Sequence, residues 1–190
     1  MQHKSVIQQI KNEVLALNRK YIDESEDHYD FWEQHIKYVV GNALNLASKY
    51  QADAEIVELG ALLHDIALIA KIGAKKDHHM NGAVLAKELL SKYEYPQDRA
   101  ELVIGCVLNH RTSKHATTIE ELCVADADIL AHFDNMSMII NNAKKHNATV
   151  DDVIERCRRD FEDLSETSKE IFKPKYELFI ENLEKELHLI

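Results

Sequence analysis

At 190 residues the chain is long enough to bury a substantial core without staples, and one domain spanning 1–190 is expected. Its formal net charge of −10 argues against nucleic acid polymers and anionic membranes as partners, because both are recognised through clustered Lys and Arg. Only five Gly and two Pro leave little turn chemistry for a many-stranded sheet, so an all-α, single-domain helical bundle is the expected fold.

Val6, Ile7, Ile10, Val14 and Leu17 recur at helical spacing and predict a first amphipathic helix, within 1–22, that the acidic turn at 23–27 ends. The next helix carries Phe31, Trp32, Ile36, Val39, Val40, Ala43, Leu44 and Ala47 on one stripe, with His35 inside it. Residues 56–70 are apolar on nearly every face and predict a buried central helix that contains Leu62-Leu63-His64-Asp65-Ile66. A basic, Gly-containing connector at 71–77 follows, then helices at about 82–92 and 97–110 separated by Tyr95-Pro96. Thr118-x-x-Glu121 predicts a capping box opening a helix through Leu122, Cys123, Ile129, Leu130 and Phe133. Met136, Met138, Ile139 and Ile140 suit core packing or a homodimer face. Two last helices within 149–190, like the N-terminal one, are expected to form supporting layers.

Cys106, Cys123 and Cys157 are odd in number, widely spaced and set in apolar patterns, which suits reduced core thiols. No apolar run approaches the roughly 18 residues of a membrane span. A cytoplasmic, soluble protein is the expectation.

The chemistry concentrates around His64-Asp65. A charge in so apolar a helix is costly unless it is paired or metal-bound. Adjacent residues on an ideal helix point about 100° apart, so both can reach one ion only near a helix end or between their directions. His35, His79, His110 and Asp126-Ala127-Asp128 lie on other predicted helices, and bundles assemble ligand sites from facing helices in this way. Mixed imidazole and carboxylate donors suit a divalent ion such as Mn, Fe, Co, Ni, Zn or Mg.

The order of His35, then His64-Asp65, then a distant Asp resembles the HD superfamily of metal-dependent phosphohydrolases over about 31–133. Leu62-Leu63-His64-Asp65-Ile66, His79-Met80-Asn81-Gly82-Ala83 and Ala127-Asp128-Ile129-Leu130 resemble its small stand-alone members most. The resemblance implies a metal held by His35, His64, Asp65 and one downstream Asp. Asp126 and Asp128 point about 200° apart on a helix, so only one serves. Amphipathicity favours Asp126; the resemblance favours Asp128, which is chosen, leaving Asp126 as a supporting or capping group.

His79 and His110 match positions that in some family members hold a second metal or contact phosphate. Asp65, or an acid such as Glu58, is implied to orient the attacking water, with His79, His110 and Arg111 stabilising phosphate and leaving-group charge. The implied activity is hydrolysis of a small phosphate ester, with a nucleotide as the expected substrate. The competing expectations are two-metal cyclic-nucleotide or redox chemistry, and a degenerate domain that binds without turnover. Lys71, Lys75, Lys76 and Lys114 join Arg111 as phosphate-binding candidates. His3, His28, His78, His115, His132, His146 and His188 are expected at the surface, with His78 the one to watch.

Overall fold

The computed structural model describes residues 5–188, with side chains described to residue 187. All regular structure among the described residues is helical. Helix α1 spans Val6–Glu24, α2 Lys37–Tyr50, α3 Ala54–Leu63, α4 Ile66–Ile69, α5 His78–Lys92 and α6 Gln97–Asn109. Then follow α7 Ile119–His132, α8 Met136–His146, α9 Val150–Glu162 and α10 Glu166–His188. His3 and the side chain of His188 lie outside the described residues.

Helix α3 forms the centre, with Ile56, Val57, Leu59, Ala61, Leu62 and Leu63 buried around its circumference. It packs on α2, α6 and α7, while α1 closes its remaining side and α9 and α10 pack together outside α7. Full burial of one of these aliphatic side chains contributes roughly 1.5–3 kcal/mol. Gly60 allows the close α3–α6 approach, since a Cβ there would sit 2.6 Å from Cys106 Cβ. Cys106, Cys123 and Cys157 are all buried and unbridged, as core thiols should be. Burial pushes Cys123 up to about 12 and Cys157 up to about 11.

Three local departures from the predicted helices shape the site. A π-helical turn, Trp32–Ile36, precedes α2, with the Lys37 amide donating to Trp32 O. Its extra residue buries both His35 and Ile36 before α2 continues with Val39 and Ala43 inward. Asp30 fixes this turn, accepting from the Glu33 amide at 3.0 Å and from Asn18 Nδ2 of α1 at 2.8 Å.

The second departure corrects the continuous helix expected over 56–70. Helix α3 stops at Leu63, and Asp65 adopts φ −103°, ψ 15° before the short α4. His64 Nδ1 turns back to Ala61 O at 2.8 Å, and α5 crosses here so closely that a Cβ on Gly82 would lie 3.5 Å from His64 O. The break frees His64 and Asp65 from the 100° separation of an unbroken helix.

Thirdly, α5 starts at His78 instead of about residue 82, after a 3₁₀ turn at Lys75–Asp77. The predicted capping box is also altered. Thr118 Oγ1 accepts from the Glu121 amide at 3.2 Å, but the Glu121 carboxylate reaches the Thr117 amide at 2.7 Å. A reciprocal box forms instead at Thr149 and Asp152.

Candidate metal centre

The π turn, the α3–α4 break, the start of α5, the end of α6 and α7 bring six side chains together. His35 Nε2 lies 3.2 Å from His64 Nε2 and 3.0 Å from Asp128 Oδ1. Asp65 Oδ2 is 3.6 Å from His64 Nε2 and 3.9 Å from His35 Nε2, and Asp128 Oδ1 is 3.7 Å from His64 Nε2. On the other side, Asp65 Oδ1 is 3.3 Å from His78 Nε2 and 3.8 Å from His110 Nε2. The His78 and His110 Nε2 atoms are 2.9 Å apart. Asp65 therefore presents one carboxylate oxygen to each of two donor sets.

Hydrogen bonding fixes the tautomers. The Nδ1 atoms of His64, His78 and His110 lie 2.8, 2.8 and 2.6 Å from the carbonyls of Ala61, Lys75 and Val107. A carbonyl only accepts, so Nδ1 carries the proton and Nε2 presents a lone pair. Lone pairs facing one another at 2.9 Å, and again beside two carboxylates, need a cation between them. Ligands about 2.1 Å from one ion stand about 3.0–3.4 Å from each other, which most of these separations approach. The donor set thus fits a divalent metal: His35, His64 and Asp65 would hold one ion, with Asp128 3.0 Å from His35, and Asp65, His78 and His110 a second; His35, Asp128 and His132 form a third, overlapping group.

His64 and His110 are almost fully buried and form the floor. Burial, and then the neighbouring His64, lowers His110 to about 4. Burial pushes Asp128 upward, but its bond to His35 and the nearby His64 more than offset this and hold it well below the usual carboxylate range. His132 stacks on His35 with ring centroids 5.8 Å apart, and its Nδ1 meets Asp160 Oδ2 at 3.1 Å. Burial opposes its protonation, yet Asp160 and then Asp128 raise it overall.

These shifts predict an acid-labile metal-free chain. Between about 4 and 6.5 the unfolded chain protonates His110 while the folded chain does not, so stability falls as pH drops through that window. The His110 contribution is at most roughly 3 kcal/mol. Asp128 acts in the same direction at lower pH, and the raised His132 opposes it. Thermal melts in chelator should show a midpoint that drops from pH 7 to pH 4.5; an unchanged or rising midpoint contradicts the assignment.

Above the donors opens a cleft of about 500 Å³ reached by His35, Asp65, His78, Asp128 and His132. Tyr21, Asp27, Tyr29, Lys75, Asn142 and Arg156 complete its polar lining. Burial, then Asp65, raises Tyr29 to about 12, so its phenol stays a hydrogen-bond donor.

Several expectations change. His78, not His79, joins the donors; the His79 Nδ1 is buried without a partner, and burial, then Arg111, lowers its pKa. His132, expected at the surface, lines the cleft, whereas His28 and His115 are exposed as expected. Arg111 is exposed and points Nη1 at Lys76 O, 3.3 Å away, and it does not line the cleft. Of the basic candidates Lys75 does, while Lys71 lies over the Tyr21 ring and Lys114 pairs with Asp163. Asp126 is fully buried and bonds to Ser165, away from both donor sets. Elemental analysis should find about one ion per chain lost in His78→Ala and none lost in His79→Ala; the opposite pattern would restore His79.

Residues 32–132 match the family described as the HD domain. The chain belongs to the HD family. A predicted HD superfamily hydrolase from an uncultured Thermotogales bacterium shares the fold at TM-score 0.63 and 21% identity, covering 93% of this chain and 91% of that one. Bacillus subtilis YpgQ does so at TM-score 0.67 and 19% identity, with 96% and 95% covered. Ribonuclease Y of Treponema denticola is 36% identical over 118 residues, which are 62% of this chain and 21% of that protein. The tRNA (cytidine(56)-2'-O)-methyltransferase of Picrophilus torridus is 29% identical over 184 residues, covering 87% of this chain. This HD chain thus spans 21% and 50% of the length of those two curated relatives. Among the described residues no helix is long and apolar enough to cross a membrane.

Proposed function

We propose that this HD protein is a metal-dependent phosphohydrolase acting on a small phosphate ester, with a nucleotide as substrate. The observation that carries the reading is the Asp65 carboxylate, shared between two donor sets at the floor of an open cleft with cations at its walls. A divalent ion bound there supplies Lewis-acid polarisation of a phosphoryl oxygen and acidifies a water toward neutral pKa.

The protein's own groups do the rest. The Nδ1–H bonds to backbone carbonyls hold the rings of His64, His78 and His110 in one orientation. Lys75 and Arg156 offset phosphate charge at the walls, where the Tyr29 phenol donates to Met138 Sδ at 3.3 Å. The buried imidazoles keep bulk water from the floor.

The nucleotide class is supported by YpgQ, a fold relative crystallised in complex with ADP. The net charge of −10 supports a small substrate over a nucleic acid polymer, and the three unbridged thiols support a reducing, cytoplasmic setting. The second donor set favours one further reading, two-ion chemistry on a cyclic nucleotide or a redox reaction at a di-iron centre. Metal content and the optical spectrum of the loaded protein separate these.

The test is phosphate release by metal-loaded full chain from a panel of nucleotides and phosphate esters, with and without chelator. Chelator-sensitive release from at least one nucleotide is expected. Fully loaded protein that releases phosphate from none, yet melts higher with one of them, would show a binding module instead.

A further inference from the structure

A second cavity, of about 220 Å³, opens between α7, α8 and α9. Met138, Ile139, Ala143, Ala148, Val153 and Cys157 give it mostly apolar walls. His132, Met138, Asn142 and Arg156 line both this cavity and the larger cleft, so the two spaces meet at those side chains. At the junction Arg156 is loosely held: its side chain is 60% exposed and its Nε stands 4.0 Å from Asp160 Oδ2.

The two spaces differ in chemistry. The cleft offers metal-type donors and cations, as a phosphate requires. The cavity offers an apolar surface whose margin carries Asn142, Asp152 and Asp160 together with His146 and Arg159, groups that can hydrogen-bond the edge of a heteroaromatic ring. We propose that the cavity takes the ring of a nucleoside monophosphate while its phosphate lies in the cleft, and that Arg156 contacts the phosphate at the junction. The inference rests on the phosphohydrolase reading and narrows it to an ester whose phosphate is carried by an uncharged ring-bearing group.

The test compares adenosine 5'-monophosphate with ribose 5-phosphate, and adds calorimetric binding of adenosine to the metal-free full chain. Wild type should show a KM at least about ten-fold lower for the ring-bearing ester. Ile139→Trp and Ala148→Trp, each filling the cavity, should abolish that preference and adenosine binding while leaving ribose 5-phosphate kinetics and metal content unchanged. Arg156→Ala should raise KM for both esters alike. A folded Ile139→Trp and Ala148→Trp that both retain full discrimination would overturn the proposal. If wild type hydrolyses neither ester, the monophosphate is overturned as substrate, the wider panel of nucleotides and esters decides the phosphohydrolase reading, and adenosine binding with its loss in the filled variants still decides whether the cavity holds a ring.

Discussion

Asp65→Ala is expected to lower chelator-sensitive turnover by at least about a thousand-fold, close to 4 kcal/mol of transition-state stabilisation. Among the described residues no other side chain contributes an oxygen to both donor sets: Oδ2 faces His35 and His64, and Oδ1 faces His78 and His110. Without it the second set keeps only two imidazoles, too few to hold an ion against competing water. The first keeps His35, His64 and Asp128 and should bind more weakly. Elemental analysis should therefore show the second ion lost and the first reduced. His78→Ala, by contrast, removes a ligand from one set alone. Asp65→Ala protein that retains two ions per chain, or turnover within ten-fold of wild type, would sink the shared-carboxylate assignment.

The second large effect separates two carboxylates that stand two residues apart. Asp126 is fully buried on α7 and accepts from both the amide and the hydroxyl of Ser165, the residue that precedes α10. Asp126→Ala leaves those donors unpaired and uncaps the longest helix among the described residues. A loss of about 2–4 kcal/mol follows, or roughly 5–15 °C in Tm for a domain of this size. Its metal content should stay at the wild-type level.

Asp128→Ala should act on the metal content instead. It removes the carboxylate oxygen nearest His35 and with it metal retention and turnover. A calorimetric melt and an elemental analysis on each variant check the pair. If Asp126→Ala loses metal and Asp128→Ala does not, the two roles have been exchanged.

Much of the fold was legible in the chain. The stripes on α1, α2 and α7 lie where apolar spacing put them, because burying an apolar stripe drives helix packing wherever the helix ends up. His35, His64-Asp65 and His110 were legible for a related reason: polar groups in apolar helices need partners, and here they find one another.

Amphipathicity alone marks other residues than His78 and Asp128, and for one cause, although it was the family resemblance that put forward His79 and chose Asp128. On α5, Gly82, Ala83, Ala86 and Leu90 define the buried stripe, with His79 near its middle and His78 about 100° away. On α7, Asp126 lies on the apolar stripe and Asp128 off it. The stripe points at the core, whereas the donors converge beside the core, in a cleft between helices. Periodicity therefore marks the residue that packs and passes over its neighbour that binds.

His132 and Arg156 left no such mark, since each enters the cleft only through the way α7 and α9 are brought together, whereas Lys75 was already a candidate in the basic connector. The sequence by itself determined an all-helical chain and a His-Asp centre, because helix periodicity and the cost of buried charge act locally. Only the tertiary structure decided that α3 breaks at that pair, that Asp65 faces two donor sets, and which His and Asp complete them. Those outcomes depend on where helices distant in the chain cross, and crossing geometry is not written in the spacing of any single helix.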